Sequence, residues 1–311
     1  QLWLMAIAGG PMELYTSPDL IQWTSQGVMT YADGTVIESE FPALLHLPLD
    51  GDTSNKKYVY IGDGEFYVVG DLVWEGDSVR FVPTQEKVAP LFYSDANHAT
   101  QDFYNDPAGR TLLMSWMRDQ TSAFRLEDKY WHGILSMPCE TALVTENGKA
   151  VLHFSPIEEL KQAKADVLCN VSDITLTNEA LAIENANALY ALFDLKARLH
   201  DGASLTLGMR EGDGCQMAIR LEYLSDSAVR VTLDAKASGA IVRGARSVTV
   251  QTDADGFVSL CSVLDNSVIE AFTSDGRVFA DFIFPPKSAD GFSLTAIGTA
   301  EIADFSAHTL Q

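Results

Sequence analysis

Apolar residues in the first half of the chain fall in short runs of about 4–8 positions, the length of strands rather than helices. LWLMAIAGG, MELYTS, KKYVYIGDG, EFYVVGDLVW, TLLMSWM and ALVTENGKAVLHF follow one another, broken by Gly, Asp, Asn and Pro. The DG, NG and GDG breaks are hairpin signals, because Gly and Asx residues accept the positive φ of tight two-residue turns. Many short strands at regular spacing over 1–154 predict a sandwich, a barrel or a propeller. The stretch SPIEELKQAKADV differs. Ser155 and Pro156 open it, acidic residues fill its first turn and lysines come late, the charge order that a helix dipole favours. It predicts a short linker helix over 155–165. From 166 to 311 strands return, in runs such as ALYALFDLKARL, CQMAIRLEYL and FVSLCSVLDNSVIEAF. RVTLDA and SVTVQT alternate apolar and polar residues, as in a sheet with one wet face, and predict a β-sandwich of jelly-roll kind.

Composition sharpens this all-β reading. Hydrophobic residues make up 47% of the 311 and charged residues 21%, a balance that supports a substantial core. Asp and Glu number 43 against 21 Lys and Arg, for a formal charge of −22. Such a surface repels phosphate backbones and anionic lipid, so nucleic acid and membrane are excluded as expected partners, whereas a neutral sugar meets no such repulsion. Cys139, Cys169, Cys215 and Cys261 are widely spaced with no C-x-x-C pair. They read as reduced core residues rather than as a metal site or a disulfide frame. Asn170-Val-Ser is a lone sequon. No apolar stretch of about 18 residues and no signal peptide is visible. The opening QLWLMAIAGG already reads as a strand, which predicts that further chain precedes it.

The stretch VIESEFPALLHLPLDG raises the chemical question. Glu38 and Glu40 stand two positions apart at the mouth of an apolar strand, where charge is costly to desolvate. Five further segments occur with it in a recognisable order. They are ELYTSPDLIQW (13–23), FYVVGDL (66–72), Asp95 with NHATQDFYNDPAGRTLLMSWM, GILSMPCETAL (133–143) leading to SPIEEL, and DNSVIEAFTSDGRVFADFIFP. Together these resemble glycoside hydrolase family 32, the invertases, levanases and inulinases, over nearly the whole chain. EFPALLHLP is similar to the family's Glu-Cys-Pro-Asp signature. The resemblance implies part of a five-bladed β-propeller over 1–154, then the linker, then a β-sandwich.

It also implies that Glu40 is the general acid/base of a retaining β-fructofuranosidase acting on terminal fructosyl linkages of sucrose, levan or inulin. Retention needs two carboxyl groups about 5–5.5 Å apart, one attacking and one held protonated to donate. The apolar neighbours Phe41 and Pro42 predict that Glu40 is buried, with the raised pKa that a donor needs. Glu38 shares its strand face by period two, as a hydroxyl ligand or a solvated loop acid. By the same resemblance Asp95 accepts hydrogen bonds from furanose hydroxyls, unless it is a turn residue. Trp116 offers a ring face to sugar C–H groups, unless it packs in the core. His98, Tyr104 and Trp131 line the pocket or serve core and rim.

The sequence departs from the family at Phe41, where Cys is usual, at Ala43, where Asp is usual, and at His98, where Tyr is common. The family's Trp-Met-Asn-Asp-Pro-like motif with the nucleophile and its Arg-Asp-Pro motif are not found. The one Asp-Pro, Asp106-Pro107, lies far downstream of Glu40. These departures leave three expectations open: an enzyme part completed by a second chain carrying the remaining blades or by residues cut away, a catalytically inactive fructan-binding module, or an assembly module. No metal or organic cofactor is implied.

Overall fold

The computed structural model describes residues 2–103, 105–118, 133–184, 186–239 and 241–311. Tyr104 and Trp131 lie outside them. The described residues divide into two compact units, one holding 2–92, 97–118 and 133–153, the other 93–96 and 154–311.

The first unit consists of antiparallel meanders. Strands β1 (Trp3–Ile7), β2 (Glu13–Ser17) and β3 (Thr24–Val28) form one sheet in that order. A second run pairs β4 (Ala43–Leu49), β5 (Asp52–Gly62), β6 (Phe66–Glu75) and β7 (Ser78–Pro83) in sequence order. The third group is β8 (Asn97–Asp102), β9 (Leu112–Met117), β10 (Ile134–Leu135), β11 (Cys139–Glu146) and β12 (Lys149–Pro156). It joins the second through a parallel pairing of β11 with β4. Consecutive up-and-down sheets of this kind are propeller blades. Hairpin chemistry sets the turns: Asp63 and Gly64 between β5 and β6 both have positive φ, 55° and 76°. Met12, Leu14, Met29, Ile37, Tyr60 and Val68, each at most 1% exposed, form the core shared by the first two sheets.

A 3₁₀ helix at Glu158–Ala163 follows, with Glu158 and Glu159 in its first turn and Lys161 near its end. Ser155 and Pro156 end strand β12 rather than opening the helix, and Ile157 precedes it with no side-chain cap.

The second unit is the predicted sandwich. Its six-stranded sheet runs β13 (Lys164–Thr177), β23 (Thr299–Leu310), β14 (Tyr190–Leu199), β19 (Val258–Asp265), β20 (Val268–Thr273) and β21 (Val278–Phe282). Its five-stranded sheet runs β18 (Ala245–Gln251), β17 (Ala228–Ala237), β16 (Cys215–Ser225), β15 (Ser204–Gly212) and β22 (Gly291–Ile297). Alternate residues such as Ala191, Phe193, Leu195 and Ala197 on one sheet and Val229, Val231, Leu233 and Ala235 on the other fill the core between them.

This sandwich also buries charge. The Asp281 carboxylate is wholly enclosed, with Arg243 Nη2 2.6 Å from Oδ1 and Arg246 Nη1 2.7 Å from Oδ2. The guanidinium of Arg210, 1% exposed, donates to the carbonyls of Ala289 at 2.7 Å and Pro286 at 2.9 Å and to that of Asn266. All four cysteines are free thiols. No described helix is long and apolar enough to cross a membrane.

Candidate active site

The first unit gathers one constellation from four of its elements. Residues 37–40 run along the edge of the first two sheets. Ile37 and Ser39 point inward, 0% and 9% exposed, and Glu38 and Glu40 point outward. Ser39 Oγ bonds to the Tyr60 hydroxyl, whose pKa burial pushes up to about 12, so the phenol stays neutral. The period-two placement of Glu38 and Glu40 on one face therefore holds. The expected burial of Glu40 does not. Phe41 takes a left-handed conformation with φ 47°, which turns the chain where strand β4 begins and leaves Glu40 exposed.

What is fixed is the backbone beneath it. The Glu40 N–H donates to Asp63 Oδ1 at 2.6 Å, and the Asp63 N–H donates back to the Glu40 carbonyl at 2.9 Å. The Phe41 carbonyl accepts from Gln101 Nε2 at 3.1 Å. Asp63 in turn accepts at its carbonyl from the Ala99 N–H at 2.7 Å. Ala99, with φ 51°, sits in the bulge where β8 slips register against β9. Gly64 is required here: a Cβ would lie 2.6 Å from the Thr100 nitrogen. Among the described residues no hydrogen bond or ion pair engages the carboxyl of Glu40 or of Glu38.

Phe41, the residue after Glu40, belongs to an aromatic cluster. The His98 ring, 6% exposed, meets Phe41 edge-on at 5.2 Å and Trp116 at 6.2 Å. His98 and Trp116 are directly opposite across β8 and β9. Phe41 and Trp116 remain 43% and 38% exposed, so Trp116 is a surface ring and not a core residue. Gly133 lies under the indole, where a Cβ would come 2.3 Å from its nitrogen. Glu65 Oε1 lies 3.6 Å from His98 Nδ1 and 3.8 Å from Arg118 Nη2. An exposed, unpaired carboxyl next to apolar ring faces suits a ligand with C–H faces and hydroxyl edges.

Asp95 falls in the second unit, where Arg246 Nη2 pairs with its carboxylate, although the side chain is 77% exposed. Asp106 is a turn residue: both oxygens are taken up by Arg110 and nearby N–H groups, and the Arg110 hydrogen bond holds its carboxyl below the usual range. No group of three or more His, Cys, Asp or Glu among the described residues is placed to hold a metal ion. Sequence reasoning missed Asp63, Glu65 and Arg118. The Asp63-Gly64 pair was legible as a turn, but not as the clamp on Glu40.

Comparison with known families decides the lineage. Residues 1–156 match the glycosyl hydrolases family 32 N-terminal domain, and residues 158–309 match that family's C-terminal domain. The chain belongs to glycosyl hydrolase family 32. Among curated family 32 relatives, a levanase of Bacillus sp. strain L7 is 27% identical over 99% of this chain and 35% of its own length. The fructan beta-fructosidase of Streptococcus mutans is 22% identical over 99% of this chain and 23% of its own. The levanase of Bacillus subtilis is 26% identical over 99% and 48%. The family 32 chain thus spans less than half the length of these relatives. Two solved structures share the fold over its full length. Exo-inulinase from Aspergillus awamori gives a TM-score of 0.82 at 20% identity, with 64% of that chain covered. Fructan 1-exohydrolase IIa from Cichorium intybus gives 0.80 at 20% identity, with 69% covered. The partial propeller followed by a sandwich is therefore a family 32 architecture.

Proposed function

We propose that this chain is part of a retaining β-fructofuranosidase that releases terminal fructosyl units from sucrose, levan or inulin, and that Glu40 is its general acid/base. The observation that carries the reading is a carboxyl whose backbone is clamped by Asp63 and whose side chain has no partner among the described residues, next in the chain to Phe41, whose exposed ring and that of Trp116 both meet His98. The printed activities of the curated relatives, levanase and fructan beta-fructosidase, support the substrate class. Trp116 stacks on the sugar, and Glu38 accepts a hydroxyl farther along the same edge. Asp95 shares its carboxylate between Arg246 and a furanose hydroxyl.

Proton donation needs a carboxyl kept neutral by burial or by a neighbouring carboxylate. The attacking carboxylate, required about 5–5.5 Å away, supplies that neighbour. In this reading it belongs to the remaining propeller blades. The test uses native protein with any chain that co-purifies. Glu40→Gln should lower sucrose turnover by about 10²–10⁴. It should lower turnover of fructosyl fluoride far less, because fluoride leaves without a proton. Equal losses on both substrates, or none on sucrose, would overturn the assignment.

The exposure of Glu40 favours one other reading, a fructan-binding module without turnover. Levan binding that persists in Glu40→Gln, with no hydrolysis by native material, would establish it instead.

A further inference from the structure

At one end of the sandwich the β14–β15, β16–β17 and β18–β19 turns converge on an open cleft of about 750 Å³. That is within the range of small-ligand sites, and the turns at the ends of a sandwich are where such folds carry binding groups. Its polar lining comes from Arg198, His200, Asp201, Tyr223, Asp226 and Asp255, and its floor from Leu199 and Val229. Leu199 and Val229 are 5% and 2% exposed, so the floor is the edge of the sandwich core.

The walls are held before any ligand arrives. Arg198 Nη1 donates to the Asp255 carbonyl at 3.2 Å, which ties strand β14 to the β18–β19 turn. Thr252 Oγ1 donates to the Asp226 carbonyl at 3.1 Å, which ties that turn to the β16–β17 turn. The Tyr223 N–H donates to the Ala203 carbonyl at 3.0 Å, which closes the third side. Gly256 packs against Arg198, where a Cβ would lie 3.2 Å from Cδ. A cleft with fixed walls loses little entropy on binding.

Charge in the cleft is already arranged in pairs. Glu301 takes Arg198 Nη2 at 2.5 Å and His200 Nε2 at 2.7 Å. Asp226 Oδ1 accepts from the Tyr223 hydroxyl at 2.9 Å. Asp201, Asp226 and Asp255 outweigh the cations of the lining, so a phosphate or other anion is disfavoured. The Arg198 guanidinium in the wall disfavours an organic cation. What the lining offers is carboxylate acceptors, the Tyr223 hydroxyl oxygen as a further acceptor, a guanidinium as donor, and the ring of Tyr223 beside an apolar floor. That set recognises a neutral polyhydroxylated ligand.

We propose that this cleft is a second, non-catalytic carbohydrate site, with Tyr223 as the ring platform and Asp201 and Asp226 as hydroxyl acceptors. That the sugar is fructose-containing rests on the function proposed above; that it is a neutral oligosaccharide rests on the cleft alone. The test is calorimetric titration of the full chain with levan oligosaccharides, dextran oligosaccharides and spermidine. Tyr223→Ala and Asp226→Ala are each expected to raise the levan dissociation constant at least tenfold, and Tyr223→Phe by a few-fold. Trp116→Ala and Glu40→Gln should leave one of two binding events intact. Thermal unfolding of each variant checks the fold, and Tyr223→Phe keeps the test valid if an alanine variant unfolds. Binding of dextran but not levan, with the same variant pattern, would uphold the site while removing its link to the function. Cleft variants that bind levan like wild type, no binding of either glycan at millimolar concentration, or cleft-dependent binding of spermidine alone would overturn the proposal.

Discussion

Two sets of carboxylates, one in each unit, are handled in opposite ways. In the sandwich, Asp281 is fully enclosed and both its oxygens are taken by arginines. In the blade unit, Glu38 and Glu40 are exposed, and only the backbone of Glu40 is tied down. A buried charge survives only with a full set of partners, so the Asp281 cluster is read as architecture. An exposed carboxyl on a fixed backbone keeps its hydrogen-bonding capacity for something outside the chain, so the Glu40 edge is read as a site.

The largest expected effect would break this contrast directly. Asp281→Ala removes the acceptor shared by two arginine side chains that are 12% and 13% exposed. Removing one partner of a buried ion pair costs about 3–5 kcal/mol. Glu40→Gln should change stability by less than about 0.5 kcal/mol, as exposed substitutions do. Urea unfolding of both variants checks the pair of expectations, and similar losses in the two would erase the distinction. Next comes Gly64→Ala, which forces a Cβ against the Thr100 backbone at a φ of 76°. Strain of this kind costs about 1–3 kcal/mol, and the thermal midpoint should fall accordingly. An unchanged midpoint would mean that the turn and strand β8 separate freely.

Asp63→Ala is a milder change. It removes the acceptor for the Glu40 N–H and should cost about 1 kcal/mol. Under the proposed function, turnover should drop more than stability does, because a misplaced acid loses alignment with its substrate. Turnover and unfolding measured together decide whether Asp63 positions Glu40 or only closes a turn. The smallest effect concerns pH. Hydrogen bonds from Arg198 and then His200 hold the Glu301 carboxyl below its ordinary value of 4.5. A depressed folded-state pKa adds stability that is present above pH 4.5 and is lost as pH falls toward the folded value. Glu301→Gln should therefore lower stability slightly across the neutral region and converge with the unsubstituted protein as pH falls through the folded value, which flattens the acid limb. An identical acid limb in the variant would show that the pair contributes nothing measurable.

Much of this was legible in the residues. Short apolar runs with DG turns mark the blades, and the alternation in RVTLDA marks the sandwich, because a pleated strand puts successive side chains on opposite faces. The same periodicity placed Glu38 and Glu40 on one face. The error about Glu40 came from treating its apolar neighbours as its surroundings. Phe41 turns back through a left-handed backbone onto His98, and Pro42 lies beyond that turn, so neighbours in sequence do not enclose the carboxyl. Local pattern also gave no sign of the partner of Asp95: its carboxylate pairs with Arg246, 151 residues away.

The order of apolar and turn residues, by itself, determined the strands, their faces and the all-β class, since these depend on neighbours a few positions apart. Only the tertiary structure decided which acids are free and which are neutralised. The Asp63 clamp is 23 residues from Glu40 along the chain, and Arg246 is 35 from Asp281. Pairings over such separations are fixed by how the strands close on one another, and local pattern carries no record of them.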